Sequence, residues 1–172
     1  MNIVLIGYRG TGKSTVGRFV ANSLHWPWID ADEELERQTN RTIRDIFATD
    51  GEPVFRDHES RILRELLSEN NRVLSLGGGV VLRPENRSLI RSPNNHVIWL
   101  QATPEAIHER LHGDLTTRER RPALTTSGGY AEIVDMLALR EPLYRECANF
   151  IISTEGKSPE QIASEVVSLV MA

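Results

Sequence analysis

"IVLIGYRGTGKST", residues 3–15, is the stretch on which the reading of the fold turns. Ile3–Ile6 is a short apolar run of the kind that makes a strand buried on both faces. Gly7-Tyr8-Arg9-Gly10-Thr11-Gly12-Lys13-Ser14-Thr15 then fits G-x-x-x-x-G-K-[ST], and an amphipathic helical pattern follows over about 13–24. Strand, glycine loop and helix in that order form a phosphate cradle. The glycines let backbone N–H groups of Gly10, Thr11, Gly12, Lys13, Ser14 and Thr15 turn toward an anion, and the helix N-terminus points at the same place. Lys13 is positioned to reach the β- and γ-phosphates of a nucleotide, and the Ser14 hydroxyl to hold Mg²⁺.

Outward from this loop, short apolar runs alternate with helical patterns. The runs are Ile3–Ile6, Trp28–Ile29, Val73–Leu76, Val97–Leu100 and Phe150–Ile152. Helical stretches lie near 13–24, 32–40, 52–70, 103–113, 129–147 and 158–171. The alternation predicts an α/β domain, residues 1–172, in which a parallel sheet is covered by helices on both faces. Ligands of such sheets gather at the carboxyl ends of the strands. The chain of 172 residues is 40% hydrophobic and 26% charged, with a net charge of −4 that speaks against a nucleic-acid binder. No apolar stretch approaches the ~18 residues of a membrane span. The first apolar run is too short for a signal segment, and the lone Cys147 rules out an intrachain disulfide and fits the cytoplasm. Cys147 falls in a helical apolar pattern and reads as core.

At the second strand end, "WIDAD" brings Asp30 and Asp32 toward the loop. On an extended chain i and i+2 face one side, so one acid is expected beside the metal and the other at a substrate hydroxyl as base; Asp32 would also cap the next helix. At the third, Gly77-Gly78-Gly79 lets backbone approach a ligand closely. Arg56 borders the apolar face of the helix after Gly51. Arg140 takes one slot of the stripe Ile133, Leu137, Arg140, Tyr144, Cys147. Arginines so placed need an anion, either an internal carboxylate such as Glu59 or an acidic substrate. The only lysines are Lys13 and Lys157, so no N-K-x-D guanine-recognition motif exists. A kinase for a small molecule fits this set best.

Together, GYRGTGKST, IDAD, IFATDGEPVFRDHES, LSLGGGVV, Arg121-Pro122 and REPLYRECA resemble the shikimate kinase family over nearly the whole chain. The resemblance implies transfer of the γ-phosphate of ATP to the 3-hydroxyl of shikimate, a step toward chorismate and the aromatic amino acids. It implies a P-loop kinase fold of three layers, with a five-stranded sheet in the order 2-3-1-4-5, a substrate-binding region at about 32–62 and a mobile lid at about 113–128. On the matching positions, Arg56 and Arg140 hold the shikimate carboxylate, Asp32 binds its hydroxyls, and Gly78 and Gly79, next to Gly77, contact it. Asp30 and Ser14 fall on the Mg²⁺ side. Arg110 and the lid arginine Arg121 serve the nucleotide, as does Lys157 in a Thr154–Pro159 adenine loop. Phe47, Phe55 and Glu59 shape the pocket. The expected partners are shikimate and ATP, with neither nucleic acid nor membrane, and the expected state is a monomer.

Three rivals remain at this point. A kinase for another hydroxy acid such as gluconate is disfavoured by Arg56, Arg140 and the triple glycine. A catalytically silent binding protein is disfavoured by Lys13, Asp32 and Arg121. A zinc peptidase is raised by His108-Glu109-Arg110-Leu111-His112, an H-E-x-x-H match. That match lacks the extended pattern, since Leu115 and Arg118 stand where Gly and His are wanted.

Overall fold

A computed structural model describes residues 1–113 and 129–172. Five strands run parallel: β1 (Asn2–Ile6), β2 (Trp28–Asp30), β3 (Val73–Ser75), β4 (Asn95–Gln101) and β5 (Phe150–Ser153). Their order is β2-β3-β1-β4-β5, with every neighbouring pair parallel, as the resemblance implied. Among the described residues the helices are α1 (Lys13–Leu24), α2 (Ala31–Thr39), α3 (Ile43–Thr49), α4 (Glu52–Leu67), α5 (Pro84–Ile90), α6 (Pro104–Gly113), α7 (Gly129–Cys147) and α8 (Pro159–Met171).

Alternation along β1 explains the layers. All five of its residues are buried. Ile3 and Leu5 project into a core shared with Val16 and Val20 of α1 and Ile162 and Val166 of α8. Val4 and Ile6 project into the opposite core, with Leu35 of α2, Ile46 of α3, Ile62 of α4 and Tyr144 of α7. A strand covered on both faces has no polar side, which is why it reads as one apolar run. Cys147 lies in the second of these cores, where burial pushes its thiol up to about 11. No helix among the described residues is long and apolar enough to cross a membrane.

Helices α3 and α5, and the 3-10 turn Val80–Leu82, escape the sequence reading. Each helix has seven residues, two turns, too few to establish a period. Their local signals exist nonetheless. The Thr42 side chain accepts from Asp45 N at the start of α3, and Pro84 stands at the first turn of α5. A second correction concerns the cap of α2. It is Asp30, not Asp32, whose side chain accepts from the N–H groups of Asp32 and Glu33. Ala31 is already helical, so the extended i, i+2 argument does not describe how the two acids are placed.

Candidate functional site

Because all strands point one way, the loops after β1, β2 and β3 meet at one edge of the sheet. Gly7 leaves β1 at φ 139°, and a Cβ there would lie 2.5 Å from Leu100 O. Only glycine fits. The loop ends at Gly12, which enters α1 from a left-handed conformation with no side-chain cap. The first N–H groups of α1 are therefore left for an anion. Lys13 Nζ folds back over the loop and donates to Gly7 O (2.9 Å) and Tyr8 O (2.8 Å). Ser14 Oγ donates to Asp30 Oδ2 at 2.7 Å, while Asp30 Oδ1 accepts from Asp32 N at 3.0 Å. Asp30 thus ties the loop to the start of α2.

Beside the loop lies a pocket lined by Asp32 from α2, Arg56 and Glu59 from α4, Gly77–Gly79, and Arg140 from α7. Phe47 and Phe55 wall it, their ring centroids 4.7 Å apart. The two arginines turn out to differ. Arg56 meets carboxylates of its own helix: Nη1 donates to Glu59 Oε2 at 2.7 Å and Nη2 to Glu52 Oε1 at 3.1 Å. Arg140 is only 5% exposed, and its Nε is buried with no hydrogen-bond partner. No carboxylate among the described residues forms an ion pair with it. A buried cation with no carboxylate beside it leaves room for an anion that arrives from outside.

The triple glycine is explained by what surrounds it. A Cβ on Gly77 would lie 2.9 Å from Asp32 Oδ1, and one on Gly79 would lie 2.7 Å from Arg56 Cζ. Tyr144, one turn beyond Arg140, donates its hydroxyl to Gly78 O at 2.5 Å. Burial raises the Tyr144 pKa, so the hydroxyl stays a donor at any working pH. Gly79→Ala is expected to push the Arg56 guanidinium off its present position, since the flexible side chain yields before the backbone. The outcome is a rise of about tenfold in the KM for the acid substrate, with a stability loss of about 1–2 kcal/mol, read by kinetics and thermal melting.

Glu59 offers a pH test. Burial raises its carboxyl above the ordinary 4.5, outweighing the pull of the Arg56 guanidinium in the other direction. A raised folded-state pKa gives stability that is complete below the unfolded value and is lost as pH rises through the folded one. The Tm advantage of Glu59→Gln over the parent chain should therefore be larger near pH 8 than near pH 5. A gap that shrinks with rising pH would mean that the Arg56 pair dominates instead.

At the other end of the loop, Arg110 Nη1 donates to Thr154 Oγ1 (3.0 Å) and Gly10 O (3.3 Å), joining α6 to the glycine loop and to the end of β5. Lys157 pairs with Glu165 at 2.6 Å. Arg121 and all but the first residue of the expected lid lie outside the described residues, as do Leu115 and Arg118. The H-E-x-x-H pair sits on α6 with the rings of His108 and His112 4.0 Å apart and His112 Nδ1 at 3.0 Å from His108 O. No cluster of three metal-ligating side chains occurs among the described residues.

Sequence reading missed Arg9, Glu132 and the Tyr144 contact. Arg9 Nη2 donates to Glu132 Oε1 at 2.5 Å, across 123 positions, and Arg9 lines the same pocket. The signal for Arg9 was a cation at a variable position of the loop; nothing local marks Glu132.

Known proteins resemble this chain in sequence and in fold. A shikimate kinase family model matches residues 9–171. The chain is 43% identical to a shikimate kinase of Enterococcus faecalis over 166 residues, 96% of each chain. Its structure is similar to that of an Acinetobacter baumannii shikimate kinase in complex with shikimate, with a TM-score of 0.91, 36% identity, and coverage of 99% of this chain and 92% of that one. A Sinorhizobium meliloti gluconokinase shares the fold alone, with a TM-score of 0.61 and 17% identity over 97% of this chain and 89% of that one.

Proposed function

The chain belongs to the shikimate kinase family, and from that premise we propose how its residues divide an ATP-dependent phosphoryl transfer to the 3-hydroxyl of shikimate. The observation that carries the reading is Arg140, a buried guanidinium with an unused Nε in the same pocket as Asp32. The shikimate carboxylate docks on Arg140 and Arg56. Asp32, whose backbone N–H is held by Asp30, orients the 3-hydroxyl and accepts its proton. Lys13 exchanges its bonds to Gly7 O and Tyr8 O for phosphate oxygens, and the loop amides take the rest. Arg110 braces the loop at Gly10 from the nucleotide side. Arg121 and Lys157 are assigned to the nucleotide from the resemblance.

A hydroxyl and a carboxylate oxygen 2.7 Å apart, Ser14 Oγ and Asp30 Oδ2, form a hard-oxygen pair suited to Mg²⁺. When bound with ATP, the ion supplies charge neutralisation at the β- and γ-phosphates.

ADP release measured with shikimate and with gluconate tests the assignment. Shikimate-dependent release with only background turnover on gluconate is expected. The reverse preference would overturn it.

A further inference from the structure

Two guanidiniums in the acceptor pocket were anticipated, and a third is present. Arg9 belongs to the phosphate loop, yet it lines the pocket of Asp32, Arg56 and Arg140. Its guanidinium lies 5.7 Å from the Tyr8 ring centroid, and that of Arg140 lies 5.8 Å from the same ring. Its Nη2 is committed to Glu132, a residue of α7 that is 1% exposed. Its Nε is buried with no hydrogen-bond partner.

These facts need a joint explanation. A cation on a loop made for phosphates is drawn toward the donor nucleotide. Glu132 counters that pull. It is fixed on α7, the helix that also carries Arg140, and it holds Arg9 on the acceptor side. Burying a carboxylate for this purpose is costly unless its partner is kept close and well bonded. What the arrangement yields is one unused, desolvated donor on a side chain that lines the acceptor pocket. Such a charge-assisted donor binds an anionic oxygen more strongly than an exposed one would.

We propose that Arg9 is a third arginine of the acceptor site, contacting the acid substrate through its unused donor, and that Glu132 is the positioning residue that keeps it there. The proposal rests on the shikimate reading above. It separates the roles of the loop: the amides and Lys13 serve the donor, and the Arg9 side chain serves the acceptor. One segment of backbone then senses both substrates.

The test is steady-state kinetics and thermal melting on four proteins: the parent chain, Arg9→Met, Glu132→Gln, and the double variant. Arg9→Met should raise the KM for shikimate about tenfold, equivalent to about 1.4 kcal/mol, with the KM for ATP changed less than about threefold. It should also lower Tm, because the buried Glu132 carboxylate loses its ion pair with Arg9. The double variant removes the buried carboxylate charge as well, so Tm should recover in part while the shikimate KM stays raised. Glu132→Gln alone should raise the shikimate KM by about threefold, through a guanidinium that is no longer held in place. A double variant that regains both Tm and shikimate KM would make the pair purely structural and overturn the proposal. A rise confined to the KM for ATP would overturn it too, by assigning Arg9 to the donor. Failure of the parent chain to phosphorylate shikimate would instead remove the reading beneath it, and that result is visible before any variant is made.

Discussion

Arg140→Ala should raise the KM for shikimate by about a hundredfold or more, while ATP binding stays within a few-fold of the parent chain. A desolvated, hydrogen-bonded charge pair loses about 2–5 kcal/mol when one partner is cut away, and a hundredfold is about 2.7 kcal/mol. The sharper part of the expectation concerns stability. Arg140 Nε is buried without a partner, and the rest of the guanidinium meets the Tyr144 hydroxyl and the Tyr8 ring rather than a carboxylate, so the ligand-free fold gains less from it than from Arg56. Its removal should cost less Tm than removal of Arg56. Arg56 is the contrast, because Glu59 and Glu52 would be left without their cation. Arg56→Ala should cost both affinity and stability. Isothermal titration with shikimate, beside melting curves of both variants, separates the two cases. A large Tm loss for Arg140→Ala would show that the side chain is a strut of the fold.

Asp32→Asn should lower kcat by about a thousandfold, within the range for removal of a positioned general base, with Tm nearly unchanged. The structure makes this a clean experiment. The N-terminus of α2 is capped by Asp30, so Asp32 can be altered without opening the helix. Asn keeps the shape and loses the proton acceptor. Asp30→Ala is the companion variant. It should cost about 1 kcal/mol of stability by the loss of a cap, and should also raise the Mg²⁺ concentration needed for half-maximal rate. Near-normal turnover in Asp32→Asn would leave Asp32 with no role beyond orienting the hydroxyl.

Much of this site could be read from residue patterns because its parts lie at strand ends. Short apolar runs located the five strands, and the residues just after three of those runs are Gly7, Asp30 and Gly77. Arg140 was conspicuous as a cation within an apolar stripe. The sequence left two partners open for the arginines, an internal carboxylate or an acid substrate. The structure divides them, with Glu59 and Glu52 at Arg56 and an unused Nε at Arg140. The placement of Asp30 and Asp32 was reasoned from an extended chain. The helix begins at Ala31, so backbone hydrogen bonding decided what alternation could not. Helices α3 and α5 are too short to show a period. The Arg9–Glu132 pair joins positions 123 residues apart, and no local pattern carries such a contact.

Three glycines in a row at the end of β3 leave no side chain to trim, so mutational drift there runs in one direction only. Every substitution adds bulk against Asp32, the Gly7 carbonyl and Tyr144 hydroxyl, or Arg56. That face of the pocket can shrink over generations but cannot grow. A descendant of this chain that accepts a larger acid must therefore remodel another wall, at Phe47, Phe55 or the helix bearing Arg140. Selection experiments for new acceptors should recover changes on that wall and leave Gly77–Gly79 untouched.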